Sequence, residues 1–167
     1  MPNWCSNDLT ITGPKVSIQG LMTLVKLVDG EFDFNGAIPY PSEWALADAE
    51  SASARDKGDW TVKDGFNNGG YDWCIEKWGT KWNASDVGWQ DPVDLQRPKG
   101  HQRLEVTFET AWAPPEPVIK ALGEKFPDLK FKLRYYEGGM GYQGSLVMEG
   151  GEVVKQTEDK YSGQRGG

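Results

Sequence analysis

The sequence has few of the side chains that hold metals or form disulfides. It contains one histidine, His101, and two cysteines, Cys5 and Cys74. Zinc sites use roughly three or four protein ligands, so a lone histidine and two isolated cysteines predict no metal site. The two cysteines can form one disulfide but imply no disulfide framework, which favours a reducing cytoplasm.

The chain also lacks an excess of basic residues. Lysine and arginine total 18 against 25 aspartate and glutamate, for a formal net charge of −7 and a pI of about 4.8. Binding to nucleic acid regardless of sequence requires a basic surface that displaces counterions, so we expect no direct nucleic-acid binding. An acidic face can still compete with nucleic acid for a basic partner, although this charge is ordinary for a soluble protein.

Long apolar runs are absent as well. No segment has the length and composition of a membrane span, and the N-terminus shows no basic-then-apolar leader. We therefore expect a soluble cytoplasmic protein without membrane contact. With 38% hydrophobic and 12% aromatic residues among 167, the chain is long and apolar enough for one folded domain with a proper core.

Sequence motifs for catalysis are weak. Gly139, Gly141 and Gly144 have the spacing of a dinucleotide-binding loop. The element that follows alternates like a strand, whereas a pyrophosphate would need a helix N-terminus there. We therefore interpret this segment as a hairpin turn.

The sequence contains two other groups of reactive side chains. Cys74 near a predicted helix start and His101 could form a nucleophile–base dyad, but a small residue packed against tryptophan is the favoured interpretation of Cys74. The spacing of the nearby carboxylates matches no known cation-binding loop; these are Asp72, Glu76, Asp86 and Asp91. The sequence thus predicts no catalytic residue, metal or cofactor, and it favours a non-enzymatic protein.

What the chain does have is tryptophan, and three of its eight tryptophans lie in residues 71–83. Asp72 suits a helix start and Gly79 a helix end. After Gly79, Trp82 and Ala84 alternate with polar residues, which predicts a strand.

These tryptophans admit two interpretations. Large aromatics mostly pack in cores, and we favour that role. The alternative is a tryptophan-lined pocket for a small molecule, closed by residues 56–70. The candidate ligand-binding residues are Tyr71, Asp72, Trp73, Trp78, Trp82 and Asn83.

Hydrophobic periodicity predicts the order of the remaining elements. Helical apolar stripes occupy residues 14–30 and 115–127. Residues 42–56 predict a further helix, and the glycine- and asparagine-rich residues 56–70 predict a functional lid or a disordered insertion. Period-two alternation predicts strands at residues 4–12, 103–112, 129–136 and 142–148.

Without the insertion, this order is β-α-β-β-α-β, the ferredoxin-like arrangement. We predict an α+β fold in which two helices cover one face of an antiparallel sheet. A single domain would span residues 1–156, with a long insertion at about 42–70 after the first helix and a C-terminal β-hairpin. Residues 157–167 would form a polar, flexible tail.

The other sheet face would carry mixed charges that can pair across neighbouring strands. We prefer that interpretation to a dedicated binding surface. The residues expected on this face are Asp8, Thr10, Glu105, Thr107, Glu109, Lys130, Lys132 and Arg134.

Several segments resemble a known family. The matching segments are residues 1–7, 38–41, 71–83, 109–115 and 135–137, which are spread over most of the chain, roughly residues 1–149. They resemble phage- and plasmid-encoded proteins that carry the YubB ferredoxin-like domain, a family largely of unknown function. The resemblance implies the same fold, an origin in a mobile element and a bacterial host cell, and it supplies no catalytic residues.

Three hypotheses about function follow. The first is a non-enzymatic phage or plasmid accessory protein that binds a host protein, for example one of a defence system. The second is a nucleotide-like small-molecule binder or enzyme that uses the tryptophan-lined pocket. The third is a structural or assembly protein that pairs with itself. The sequence does not determine the oligomeric state.

Overall fold

One antiparallel sheet forms the frame of the molecule. The computed structural model describes residues 2–163, and in that range the sheet has seven strands. The strands are β1 (Trp4–Pro14), β2 (Ser85–Trp89), β3 (Val93–Asp94), β4 (His101–Ala111), β5 (Lys130–Glu137), β6 (Tyr142–Glu149) and β7 (Glu152–Lys160).

The helices of the described range belong to two parts of the chain. Two of them directly follow the long strands β1 and β4, and the other two lie between the first helix and β2. They are α1 (Lys15–Leu24), α2 (Ser42–Asp56), α3 (Gly70–Lys77) and α4 (Glu116–Lys125), with short 3-10 helices at Leu27–Asp29, Phe34–Gly36 and Phe66–Asn68. No helix in residues 2–163 combines the length and the apolar composition that crossing a bilayer requires.

The strand order confirms the predicted fold class. The sheet runs β2-β4-β1-β5-β6-β7, and β3 also pairs with β4. The first strand therefore lies between β4 and β5, antiparallel to both, with Leu9 opposite Val106 on one side and Leu133 on the other. This is the ferredoxin-like order, extended by the predicted C-terminal hairpin of β6 and β7.

The core lies between the sheet and the helices on one face. Alternate residues of β1, β4 and β5 are buried, as the period-two pattern predicts. The apolar stripes of α1 and α4 join the same core cluster, for example through Leu21 and Leu122. Both helices therefore cover one sheet face, and the other face carries the predicted polar and charged residues.

Residues 56–70, predicted as a functional lid or a disordered insertion, are held against α2 by side-chain bonds. The Arg55 guanidinium binds the Asp64 carboxylate at 2.8 Å. Ser51 donates a hydrogen bond to the carbonyl of Val62 at 3.0 Å. The amide of Phe66 donates to Asp48 at 2.8 Å. These bonds tie the segment to α2.

The prediction of a strand directly after Gly79 is also wrong. Thr80 is buried and donates its hydroxyl to the carbonyl of Ala111 at 2.8 Å, which holds this segment as a loop beside the end of β4. The second core strand begins later, at Ser85.

The prediction places the start of the flexible tail too early in the sequence. Strand β7 pairs with β6 up to Lys160, and the ring of Tyr161 stacks on Tyr136 with centroids 5.4 Å apart. The tail therefore cannot start at residue 157. Residues 164–167 of that prediction lie outside the described residues.

Candidate functional site

Three of the six predicted site residues, Trp78, Trp82 and Asn83, line one cavity, and two of the tryptophans, Trp73 and Trp78, pack in or against the core. Trp78 is 5% exposed and donates its indole N–H to the carbonyl of Ile38 at 2.8 Å. Trp73 packs edge-on against Trp78 and Tyr40, with ring centroids 5.4 and 5.5 Å away. These two tryptophans, one in α3 and one directly after it, are packing residues, the role that we favoured for them.

Asn83 also has a structural role. Its side-chain oxygen accepts hydrogen bonds from the amides of Phe34 and Ala84 at 2.9 and 3.0 Å. Its side-chain nitrogen donates to Asp33 at 2.9 Å. Asn83 therefore fastens the loop before β2 to the segment after α1.

Asp72 is exposed in the first turn of α3. The residue at the N-cap position is Gly69, and no side chain caps this helix end. The prediction that Asp72 caps the helix start is therefore off by three residues, and the exposed Asp72 lies apart from the packed rings of Trp73 and Trp78.

A small cavity lies where the tryptophan-lined pocket was predicted. It has a volume of about 140 Å³ and is lined by Trp78, Trp82 and the half-buried Asp48. The hydroxyl of Tyr40 donates to Asp48 at 3.1 Å in its wall. Pockets for drug-sized ligands measure roughly 300–1,000 Å³, so this volume suits a few waters.

The cysteines are unsuited to nucleophilic chemistry. Both are buried and free. Burial raises the pKa of the Cys74 thiol to about 11 and that of Cys5 to about 12, so both stay protonated at neutral pH. The ring nitrogen Nδ1 of His101 has no hydrogen-bond partner in the described chain, so it does not bind the Cys74 thiol.

The acidic residues weighed as a cation site do not converge either. Within residues 2–163, no three histidine, cysteine, aspartate or glutamate side chains lie close enough together to hold a metal ion. On the open sheet face, Lys130 forms an ion pair with Glu149 across neighbouring strands at 3.3 Å. This pairing is of the kind expected for that face.

The most distinctive surface feature is a group of aromatic rings around one lysine. We call it the aromatic–lysine cluster; it consists of Trp4, Tyr71, Lys81, Trp82 and Trp112. The Lys81 ammonium lies 4.3 Å from the ring centroid of Trp82, 4.9 Å from that of Trp112 and 5.9 Å from that of Tyr71. Trp4 extends the group, with its ring 6.2 Å from that of Trp82.

Different elements bring these residues to one end of the sheet. Trp4 begins β1 and pairs with Ala111, the last residue of β4. Tyr71 lies in the first turn of α3, and Lys81 and Trp82 lie in the loop that Thr80 anchors to Ala111. Trp112 follows β4 directly. Four separate segments thus converge where β1 starts and β4 ends.

Trp112 has an unusual backbone. Its φ is 70°, in the left-handed region that bulky residues rarely adopt and that costs about 1–3 kcal/mol. Two hydrogen bonds hold it there: its amide donates to the carbonyl of Asn3 at 2.9 Å, and the hydroxyl of Tyr142 donates to its carbonyl at 2.5 Å. The surroundings therefore maintain a strained conformation that turns the indole outward.

The cluster is accessible to solvent. Trp4, Trp82 and Trp112 are 37%, 38% and 38% exposed. Beyond Trp112 the surface continues into an open groove of about 690 Å³, whose walls include Pro114, Met140 and Glu158. Exposed aromatic area of this extent, rimmed by polar groups, is typical of a binding surface.

Sequence reasoning found only Tyr71 and Trp82 of this cluster. The alternation of β4 placed Trp112 with the inward residues, but its positive φ rotates it out. Trp4 gave a usable signal, because it falls in the outward phase of β1, opposite to Cys5 and Leu9. Lys81 gave none, since a lysine in a loop is ordinary.

Comparison with known proteins identifies a family. The family model described as the ferredoxin-like domain in Api92-like protein matches residues 77–165. The resemblance to the YubB family is therefore corrected, because the matching model is the Api92-like one.

A solved structure agrees on the fold. The crystal structure of a protein Api92 from Yersinia pseudotuberculosis is similar over 97% of this chain and 99% of that chain, with a TM-score of 0.55 and 14% identity. At this identity the likeness supports the fold alone. The search of curated proteins found no match.

Proposed function

The chain belongs to the family of ferredoxin-like domains in Api92-like proteins, which brings a fold but no reaction, and we propose that it is a non-enzymatic protein that binds a host protein. The proposed binding surface is the aromatic–lysine cluster together with the adjoining groove. The proposal places the protein in the cytoplasm of a bacterial host, as an accessory protein of a phage or plasmid that acts on a host factor such as a defence protein.

The carrying observation is the exposure of three tryptophans in one continuous patch. Tryptophan is among the residues most enriched at the energetic centres of protein interfaces. Removing this much aromatic surface from water on binding supplies a large part of an interface's free energy. The strained backbone of Trp112 adds support, because such strain is concentrated at functional sites.

The charge of the molecule favours a basic partner. A net charge of −7 steers positively charged surfaces toward the protein and raises the association rate at low salt. Glu158 in the groove wall offers a carboxylate beside the apolar Trp112 and Met140. By analogy, small acidic proteins of mobile elements often act by occupying a host protein's surface.

A pull-down with matched variants tests the proposal. The tagged protein and its variants Trp82→Ala, Trp112→Ala and Trp60→Ala would be incubated with host lysate, and the captured proteins identified by mass spectrometry. Trp60 is 76% exposed and lies outside the cluster, so its variant controls for losing a surface tryptophan.

We expect one stoichiometric host protein with the wild type and with Trp60→Ala, and its loss with the other two variants. Empty pull-downs from several hosts would argue strongly against the proposal. Capture that both cluster variants retain would place the interface elsewhere on the protein.

The second candidate function is binding of a small molecule. The cavity beside Trp78 and Trp82 supports it, since it offers aromatic walls and the carboxylate of Asp48. Its small volume supports a nucleotide-sized ligand less well. Tryptophan fluorescence measured against a panel of nucleotides and metabolites tests this function, and a flat response across the panel would contradict it.

A further inference from the structure

We propose that the rings of Tyr71, Trp82 and Trp112 form an aromatic cage for an alkylammonium group, and that the Lys81 side chain is the cage's intramolecular occupant. The ligand class is an organic cation, either a free quaternary ammonium ion or the ammonium of a lysine side chain. The inference stands apart from the proposed host partner, because a cage of this kind can be measured with simple cations alone.

The distances fit cation–π binding. An ammonium within about 6 Å of an aromatic ring centroid is attracted by the negative face of the ring, most strongly for tryptophan. The Lys81 ammonium meets this condition for three rings at once, and the two nearest are tryptophans. The rings of Tyr71 and Trp112 are nearly perpendicular, at 79°, with centroids 6.5 Å apart, so they form two walls of a corner.

No carboxylate explains the position of Lys81. Across the part of the chain that the structure describes, Lys81 forms no ion pair, whereas the neighbouring Lys77 binds Glu76 at 2.7 Å. Among the described residues, the cage therefore holds its cation with ring faces and without an ion pair. This chemistry suits quaternary ammonium groups, which have no N–H to donate and which aromatic cages recognise.

The cage can exchange its occupant. The two tryptophan walls are each 38% exposed, so a cation in solution can reach them. The Trp112 wall is held by Asn3 and Tyr142, independently of Lys81. The Lys81 ammonium is attached to the backbone through a flexible four-carbon side chain, so it can leave the cage. An external cation must displace Lys81, so its apparent affinity equals the intrinsic affinity multiplied by the fraction of molecules in which the cage is empty.

Removing the occupant tests the inference. Lys81→Ala would be titrated with tetramethylammonium chloride, against sodium chloride at equal ionic strength, with binding followed by tryptophan fluorescence and by NMR. We expect Lys81→Ala to bind tetramethylammonium at least about tenfold more tightly than the wild type. We expect Lys77→Ala and Lys81→Arg to behave like the wild type, since both keep a cation in the cage.

Adding Trp112→Ala to the Lys81→Ala variant should weaken binding at least about tenfold, because one wall is gone. Equal affinity with and without that wall, or no saturable response of Lys81→Ala to any of the cations, would overturn the inference.

A second titration distinguishes a lysine side chain from a free quaternary ammonium ion as the ligand. N-acetyl-lysine methylamide and its uncharged norleucine counterpart would be titrated into Lys81→Ala in the same way. Binding of the lysine compound, but not of the norleucine compound, supports a lysine side chain as ligand. Binding of tetramethylammonium alone supports a free quaternary ammonium ion.

A measurement on the wild type tests the inference without requiring that any variant folds. Aromatic ring currents should shift the ε-methylene protons of Lys81 upfield, and saturation with tetramethylammonium should return them toward ordinary lysine values. Unshifted ε-methylene protons would show that Lys81 does not occupy the cage and would overturn the inference. A failed host pull-down leaves these outcomes unchanged, so the two proposals fail separately.

Discussion

At the scale of single residues, the polar side chains near the cluster hold the chain in place. Asp33 is the clearest case: it accepts hydrogen bonds from Lys26, Asn35 and Asn83 at 2.7 to 2.9 Å. Asn83 and Asp33 are 50 residues apart in sequence. Sequence reasoning could identify Asn83 as a polar residue beside tryptophans but not its partners, because pairing over such distances depends on the completed fold.

Asp33 predicts an acid sensitivity. Burial raises the pKa of Asp33, but the hydrogen bonds from Lys26, Asn35 and Asn83 outweigh it and lower the pKa from 3.8 to about 2. A lowered pKa stabilises the fold above the unfolded value, and this contribution is lost as the pH falls from about 4 to 2. The shift corresponds to about 2 kcal/mol for a side chain that is only 9% exposed.

Urea unfolding of the wild type and Asp33→Asn between pH 5 and pH 2 checks this. We expect the difference in free energy of unfolding to be about 2 kcal/mol at pH 5 and to shrink toward pH 2. A difference that does not change with pH would contradict the assignment. Asp59→Asn, which removes an exposed carboxylate, serves as the control and should show a smaller dependence on pH.

At the scale of elements, the sequence predicts well where one face is buried and poorly where the backbone departs from regular geometry. The alternation in β1 and β4 reflects a buried face. Strand β2 carries an irregular register between Ser85 and Gly88, and Asp86 has a φ of 51°. Such irregularities break the period-two pattern, which is why the second strand was predicted too early.

Two helical glycines give a matched prediction. A Cβ on Gly123 of α4 would lie 2.8 Å from Cε and 3.1 Å from Cβ of Met148, in the contact between α4 and β6. A Cβ on Gly20 of α1 would meet only the ring of Phe126, at 3.7 Å. Overpacking costs about 1–3 kcal/mol, whereas replacing a helical glycine with alanine gains up to about 1 kcal/mol.

We therefore expect Gly123→Ala to lower the free energy of unfolding by about 1–2 kcal/mol and Gly20→Ala to raise it by about 0.5–1 kcal/mol. Urea titrations followed by circular dichroism measure both. Stabilisation by Gly123→Ala would mean that α4 can move away from β6 at little cost.

At the scale of the whole molecule, the segment matched by the family model is shorter than the segment that forms the sheet. The matched residues, 77–165, contain β2 to β7, but β1 lies outside them. Strand β1 lies between β4 and β5 and pairs with both along most of its length. The ferredoxin-like arrangement of this chain therefore needs its N-terminal strand, which the alternation of residues 4–12 made predictable.

A fragment of residues 77–167 should not fold by itself. Without β1, β4 and β5 lose their common neighbour, and the inner faces of both strands are exposed. We expect the fragment to show no cooperative thermal transition by circular dichroism. Adding residues 1–76 as a separate chain is the control and should restore one. Cooperative unfolding of the fragment alone would show that β1 is dispensable.

The central position of β1 also has a consequence for how the protein is made. Asn7 of β1 bonds to Thr110 of β4, 103 residues later in the chain. At about 5–20 residues per second, synthesis takes several seconds to deliver that partner, and β5 emerges later still. During this interval the apolar residues of β1 have no sheet to join. Folding must therefore wait until most of the chain has left the ribosome, which favours slow acquisition of structure and a need for chaperones.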